Sequence, residues 1–309
     1  MLNAAKSSLC SCSRQNTRQN ATACLLATPS FASFDIRQRK LAASVGLKLL
    51  QRLLADDEDL AMRACTITIP LGSHGVRELP ALVVEPDSDH ATASILLFLH
   101  GKGEAGSSLG ALPLVCVHQT PPFQALLGRL PGTVVIAPQA PPIPTIDDWN
   151  WREYVTALAE FLADRYAKQR VVATGFSRGG LGVLQLVSAY PDLVQAWAVV
   201  DPQPARDPAE TNAVLPSPAR TERGWLRYGF FRHRNDAWKT FSSLLLDRFP
   251  EENRDTVELQ HVEMAVQAYL GSSLSAGIGK KNLYDFLGLK FAPSPISPCT
   301  APTPTTAAK

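Results

Sequence analysis

The chain has 309 residues, 45% of them hydrophobic, and a formal net charge of +2 at neutral pH. That is enough apolar residue for one large core. The balanced charge, with no long lysine/arginine block, argues against nucleic acid or an anionic membrane as partner. No apolar run approaches the ~18 residues of a membrane-spanning helix. The six cysteines are scattered without disulfide or zinc spacing, which points to a reducing compartment.

Residues 1–40 read as a disordered leader. Lys6, Arg14 and Arg18 stand there among many serines and threonines, with no acidic residue before Asp35. This is also the composition of an organelle transit peptide. The expected location is intracellular, in cytoplasm, chloroplast or mitochondrion. Residues 41–62 carry Leu41, Val45, Leu49, Leu50, Leu53 and Leu54 at helical spacing and predict an amphipathic helix. Residues 63–291 form the expected folded domain. Residues 292–309 are rich in Pro and Thr and read as a solvated tail.

Within the domain, "CTITIP" and "PALVVEP" predict two strands joined by a turn. "ASILLFLH", "GTVVIAP", "QRVVATGF", "VQAWAVVDP", "GWLRYGFF" and "TVELQ" predict six more. Helical periodicity marks "WREYVTALAEFLADRY", "GGLGVLQLVSAYP", "AWKTFSSLLLDRF" and a final helix ending in "LYDFLGL". Strands alternating with helices predict an α/β fold, a mostly parallel sheet covered on both faces. Such sheets bind ligands beyond the carboxyl ends of their strands.

Two glycine-bearing loops stand at strand ends. "HGKGEAG" places Gly101, Gly103 and Gly106 in the order of a dinucleotide fingerprint. That fingerprint needs a helix at once and an acidic residue about 20 positions on. Here prolines interrupt the following segment, and no Asp or Glu occurs between Glu104 and Asp147. The second loop, "GFSRGG", holds Gly-x-Ser-x-Gly at Gly175–Gly179, after a strand and before a helix. This is the context of a nucleophile elbow, a tight turn that lifts a serine above the sheet and leaves no room for bulky neighbours.

A nucleophilic serine at 177 needs a base and an orienting acid, in the chain order serine, acid, histidine. His233 and His261 follow Ser177. His261, after "TVELQ", is the preferred base. Asp236 is the preferred acid, and Asp201 at the end of "AWAVVD" competes with it. The oxyanion of acyl transfer needs backbone donors. Arg178, after the serine, and Gly101 or Lys102 in the first loop are the candidates. Trp149 and Trp151 are candidates for an acyl-pocket wall, with core packing as the alternative. The Pro-rich residues 202–222 lie where a lid would sit.

These segments resemble the α/β-hydrolase superfamily, and more narrowly its phospholipase/carboxylesterase and predicted-peptidase esterases. The resemblance rests on "LLFLHGKGE", "VVIAPQAPP", "VVATGFSRGGLGVLQLVSAYPDL", "HRNDAW" and "HVEMAVQAY". It implies a Ser177–His261–Asp236 triad, with oxyanion donors at the backbone of Lys102 and Arg178. It also implies no cofactor and hydrolysis of carboxylic esters or thioesters, with small esters, lysophospholipids or acylated proteins as substrates. The sequence departs from the family around the acid, in "RHRNDAWKT", and before the histidine, at Gln260. A non-catalytic binding protein on the same fold, or a peptidase with the same triad, is the alternative.

Overall fold

The computed structural model describes residues 64–70, 78–86, 93–106, 109–142, 151–204, 213–229, 236–257, 259, 261–271 and 282–292. The expected leader, the amphipathic helix 41–62 and residues 293–309 of the tail lie outside them, as do residues 205–212 of the proposed lid and Trp149.

Among the described residues eight strands form one sheet: β1 (Ala64–Pro70), β2 (Glu78–Val84), β3 (Ser94–Leu99), β4 (Thr133–Pro138), β5 (Val171–Phe176), β6 (Ala196–Val200), β7 (Gly224–Gly229) and β8 (Arg254–Val257). Their order across the sheet is β1-β2-β4-β3-β5-β6-β7-β8. β1 and β2 pair antiparallel, as does β2 with β4, and every later pairing is parallel. The mostly parallel α/β sheet expected from the sequence is the one present.

Burial follows from this topology. β4 to β7 are buried at every position, which is why β4 to β6 read as apolar runs rather than as alternating strands; β7 buries Arg227 beside Asp255. The packing leaves no slack. A Cβ on Gly224 would sit 2.3 Å from the Trp197 ring. Trp197 meets Phe249 edge-on at 5.3 Å.

The helices are α1 (Pro121–Leu126), α2 (Arg152–Arg165), α3 (Arg178–Ala189), α4 (Pro218–Thr221), α5 (Asp236–Arg248), α6 (His261–Tyr269) and α7 (Leu283–Phe286). Three details differ from the sequence expectation. The segment after the first glycine loop winds into a 3-10 stretch, Leu109–Gln119, and then α1, with Pro121 and Pro122 in the first turn of α1. Proline is favoured there because that N–H has no helical acceptor. β8 begins two residues earlier than "TVELQ" and ends at Val257. The expected last helix is two helices, α6 and α7, and His261 opens the first of them.

Neighbouring strands β4, β3 and β5 set the position of the site. Strand order reverses about β3, and crevices form where crossovers leave on opposite sides. The two glycine loops leave from the carboxyl ends of β3 and β5, side by side.

Candidate active site

Ser177 stands between β5 and α3 with φ 57° and ψ −120°. A non-glycine residue rarely adopts this backbone, and it persists only where the surroundings enforce it. Here they do. Its N–H donates to Val200 O at 3.0 Å, and its carbonyl accepts from Gln203 N–H at 3.1 Å and Leu181 N–H at 3.3 Å. Ser177 is 4% exposed.

The flanking glycines are required by contact. A Cβ on Gly175 would lie 2.2 Å from Gly179 O, and one on Gly179 would lie 1.8 Å from Leu99 O. The elbow is therefore wedged directly on the end of β3.

The first glycine loop closes on the same point. A Cβ on Gly101 would be 3.3 Å from Ser177 Cβ and 3.5 Å from the Phe176 ring. Gly101 caps a 3-10 turn, Lys102–Glu104. Lys102 and Arg178 are thus each the first residue of a helical turn, where the backbone N–H has no acceptor within the turn. The Arg178 guanidinium reaches Pro204 O at 3.3 Å, toward the loop after β6.

Several bonds tie this loop to the exit of β4. Ala140 N–H donates to His100 Nε2 at 3.0 Å, and Gly106 N–H to Ala140 O at 3.0 Å. Gln139 Nε2 donates to Glu104 O at 2.9 Å and Ala111 O at 2.8 Å. His100 Nδ1 donates to Gly101 O at 2.5 Å. With Nε2 accepting and Nδ1 donating, these partners assign a neutral ring. Complete burial pushes the His100 pKa down, outweighing the raising influence of Glu104 and of the bond to Gly101.

Trp151 is fully buried, meets the His100 ring at 5.0 Å and donates to His100 O at 3.2 Å. It also fills the space that a side chain at Gly182 would need. Trp151 therefore packs in the core behind the loop, the alternative given for it above. Trp149 lies outside the described residues.

The acid at the histidine is Asp201. His261 Nδ1 and Asp201 Oδ2 are in direct contact. Of the two candidate acids, Asp201 is the one seen against His261, from the end of β6, and Asp236 opens α5 one strand further on. Asp201 is fully buried and has φ 45°, a second non-glycine residue in the left-handed region. Its N–H donates to Arg227 O at 2.7 Å, which fixes it on β7. The His261 ring lies 4.4 Å from the ring of Phe176, the residue before the serine, and its side chain is 33% exposed. With Nδ1 donating to a carboxylate, Nε2 is the basic nitrogen of the neutral ring.

Glu104 and His118, which the sequence did not single out, also meet at this loop. His118 Nε2 lies 3.2 Å from Glu104 Oε1, and its ring meets Phe176 edge-on at 6.3 Å. Among the described residues no group of three or more metal-ligating side chains occurs.

A serine forced into a strained strand-to-helix turn, beside a glycine loop and a histidine–aspartate pair, defines the nucleophile-elbow class of α/β enzymes. The model of the alpha/beta hydrolase family matches residues 96–296, and the chain belongs to that family. No curated protein sequence matches. Among solved structures, the chain is similar to a ferulic acid esterase, with 14% identity, 66% of this chain and 93% of that chain covered, and TM-score 0.49. It is similar to a thermostable esterase at 16% identity and TM-score 0.46, covering 68% of this chain and 60% of that one. A hyperthermophilic esterase from the archaeon Pyrobaculum calidifontis gives 16% identity, 74% and 87% coverage, and TM-score 0.45.

Proposed function

We propose that the protein is a serine hydrolase of carboxylic esters or thioesters. The observation that carries this reading is the strained backbone of Ser177 beside a His261–Asp201 pair. A strained serine at an elbow has no structural purpose that glycine would not serve better.

Ser177 Oγ attacks the acyl carbon and His261 Nε2 takes its proton. Asp201 holds the Nδ1–H tautomer and stabilises the imidazolium. The oxyanion is held by backbone N–H groups of Arg178 and of the Gly101–Lys102 turn. Collapse breaks the bond to the alcohol or thiol, which leaves with the proton from His261. Water, deprotonated by His261, then attacks the acyl-enzyme and releases the acid. No step uses a cofactor. Small esters, lysophospholipids and acylated proteins are the substrate classes the family resemblance supplies, and the phospholipase/carboxylesterase group is the narrower assignment proposed.

The test is labelling by a fluorophosphonate probe together with p-nitrophenyl esters of graded chain length. Wild-type protein takes up the probe, and Ser177→Ala does not, with an unchanged melting temperature. Folded wild-type protein that neither labels nor hydrolyses any of the esters would leave the non-catalytic reading in its place.

A further inference from the structure

Four non-glycine residues among those described have positive φ: His118 (66°), Gln119 (60°), Ser177 and Asp201. Two belong to the triad proposed above. The other two are adjacent and form the turn that carries the His118 ring to Phe176. This turn is locked in place. Gln124 Nε2 donates to Gln119 O at 2.8 Å, and Thr120 Oγ1 to Val115 O at 2.5 Å. Arg129 Nη1 in turn holds Gln124 Oε1 at 2.8 Å. Two successive left-handed residues are a costly way to end a 3-10 stretch. Such strain concentrates where a side chain must be placed for function.

The side chain so placed meets Glu104. Glu104 is 5% exposed, and only one of its carboxylate oxygens has a hydrogen-bonding partner among the described residues, His118. The other, Oε2, lies 2.9 Å from the point where a Cβ on Gly101 would sit, and Ser177 Cβ lies 3.3 Å from the same point. The Glu104 carboxylate and the Ser177 side chain thus both pack against the Gly101 turn. The titratable groups around it are His118, His100 and Tyr269. Burial alone would raise the Glu104 pKa. The His118 hydrogen bond and the influence of both histidines outweigh it and hold the carboxyl below its ordinary value of 4.5. A carboxylate thus lies against the turn that the hydrolase reading assigns to the oxyanion, and like charges in a buried site oppose each other strongly.

We propose that Glu104 and His118 are a positioning pair for the oxyanion turn: Glu104 supports Gly101 from within the loop, and the His118 hydrogen bond draws its charge away from the developing oxyanion. This rests on the serine-hydrolase reading. Neither residue touches the reacting atoms, and both act through the turn.

The experiment is a double-mutant cycle read on p-nitrophenyl acetate. His118→Asn is chosen because asparagine tolerates φ near 66° and its amide ends short of Glu104. This variant should lose about 10- to 100-fold in kcat with KM within about threefold, as an uncompensated charge beside an oxyanion demands. Adding Glu104→Gln removes the charge and should restore at least about tenfold of that loss. His118→Gln, which returns a neutral donor near the Nε2 position, should fall less than His118→Asn. Melting temperatures confirm that each variant is folded.

A double variant no faster than His118→Asn would overturn the proposal, because a merely structural pair gives no rescue. If the double variant does not fold, the single variants decide: His118→Gln as slow as His118→Asn overturns it equally. Wild-type protein inert to both ester and fluorophosphonate would remove the hydrolase reading and this inference with it, whereas active wild type without rescue removes the inference alone.

Discussion

On the β3–β5 side of the site, backbone is packed on backbone. Gly179 rests on Leu99 O, Gly175 on Gly179 O, and the loop 100–106 is bonded along the exit of β4. On the β6–β8 side, Asp201 and His261 meet through their side chains, each past the end of a different strand. The difference teaches where each half gets its precision. The first half is set by contacts that exclude side chains, so it demands particular residues at particular positions. The second is set by sheet topology, so its residues can come from any strand end that points the right way.

The sharpest way to break the backbone-built half is Gly179→Ala. A Cβ there would lie 1.8 Å from Leu99 O and 2.7 Å from His100 O, and backbone on both sides cannot give way. The expected outcome is loss of the folded protein: insoluble expression, or no cooperative thermal transition. A soluble Gly179→Ala with a melting temperature within a few degrees of wild type would show that the elbow does not rest on β3 as described.

The side-chain-built half should fail in activity while the fold survives. Asp201→Asn keeps shape but removes the carboxylate facing His261 Nδ1, and on the proposed triad that should cost about 10⁴-fold in kcat. Asp236→Asn should stay within about threefold of wild type. Hydrolysis rates of the two variants on one p-nitrophenyl ester separate the assignments, and a reversed ranking would return the role to Asp236.

The same contrast decides what could be read from the chain. The strands β3 to β6 were legible because burial on both faces makes them largely apolar runs; β7 is buried too but carries Arg227. The elbow was legible because steric exclusion leaves only glycine at 175 and 179; in the first loop Gly101 and Gly106 are crowded in the same way, while Gly103 has open space. The choice of acid was not, because Asp201 after β6 and Asp236 at the start of α5 both fit the chain order, and local pattern cannot say which reaches the histidine. Asp236 drew the choice by standing at a helix start, where a carboxylate is favoured for capping alone. His261 was placed correctly after the last strand, but as a loop residue, since β8 ends earlier than its β-branched run suggests. His118 carried no sequence signal. Its left-handed turn is enforced by Gln124 and Thr120, which are ordinary residues in an ordinary-looking segment.

The smallest effect expected is also the one that tests how tightly the first half is built. His100 bridges Ala140 and Gly101 only as a neutral ring, because protonated Nε2 could no longer accept from Ala140 N–H. Burial lowers its pKa in the folded protein below the ordinary 6.5. Between that folded value and 6.5 the unfolded chain binds more protons, so stability is complete above about pH 6.5 and is lost as pH falls through the folded pKa. Glu104, also lowered from its ordinary 4.5, adds a similar loss at more acidic pH. A His100→Gln variant keeps an acceptor toward Ala140 without a group that titrates here. It should be less stable than wild type at pH 7.5 by about 1–3 kcal/mol, from the disturbed buried hydrogen bonds. Its stability should then fall less steeply than that of wild type from pH 6.5 to pH 5, so the two curves converge. Denaturant unfolding at closely spaced pH values measures both. Parallel curves would mean that His100 takes up its proton without disturbing the loop, and that the oxyanion turn is held by Gln139 and Gly106 instead.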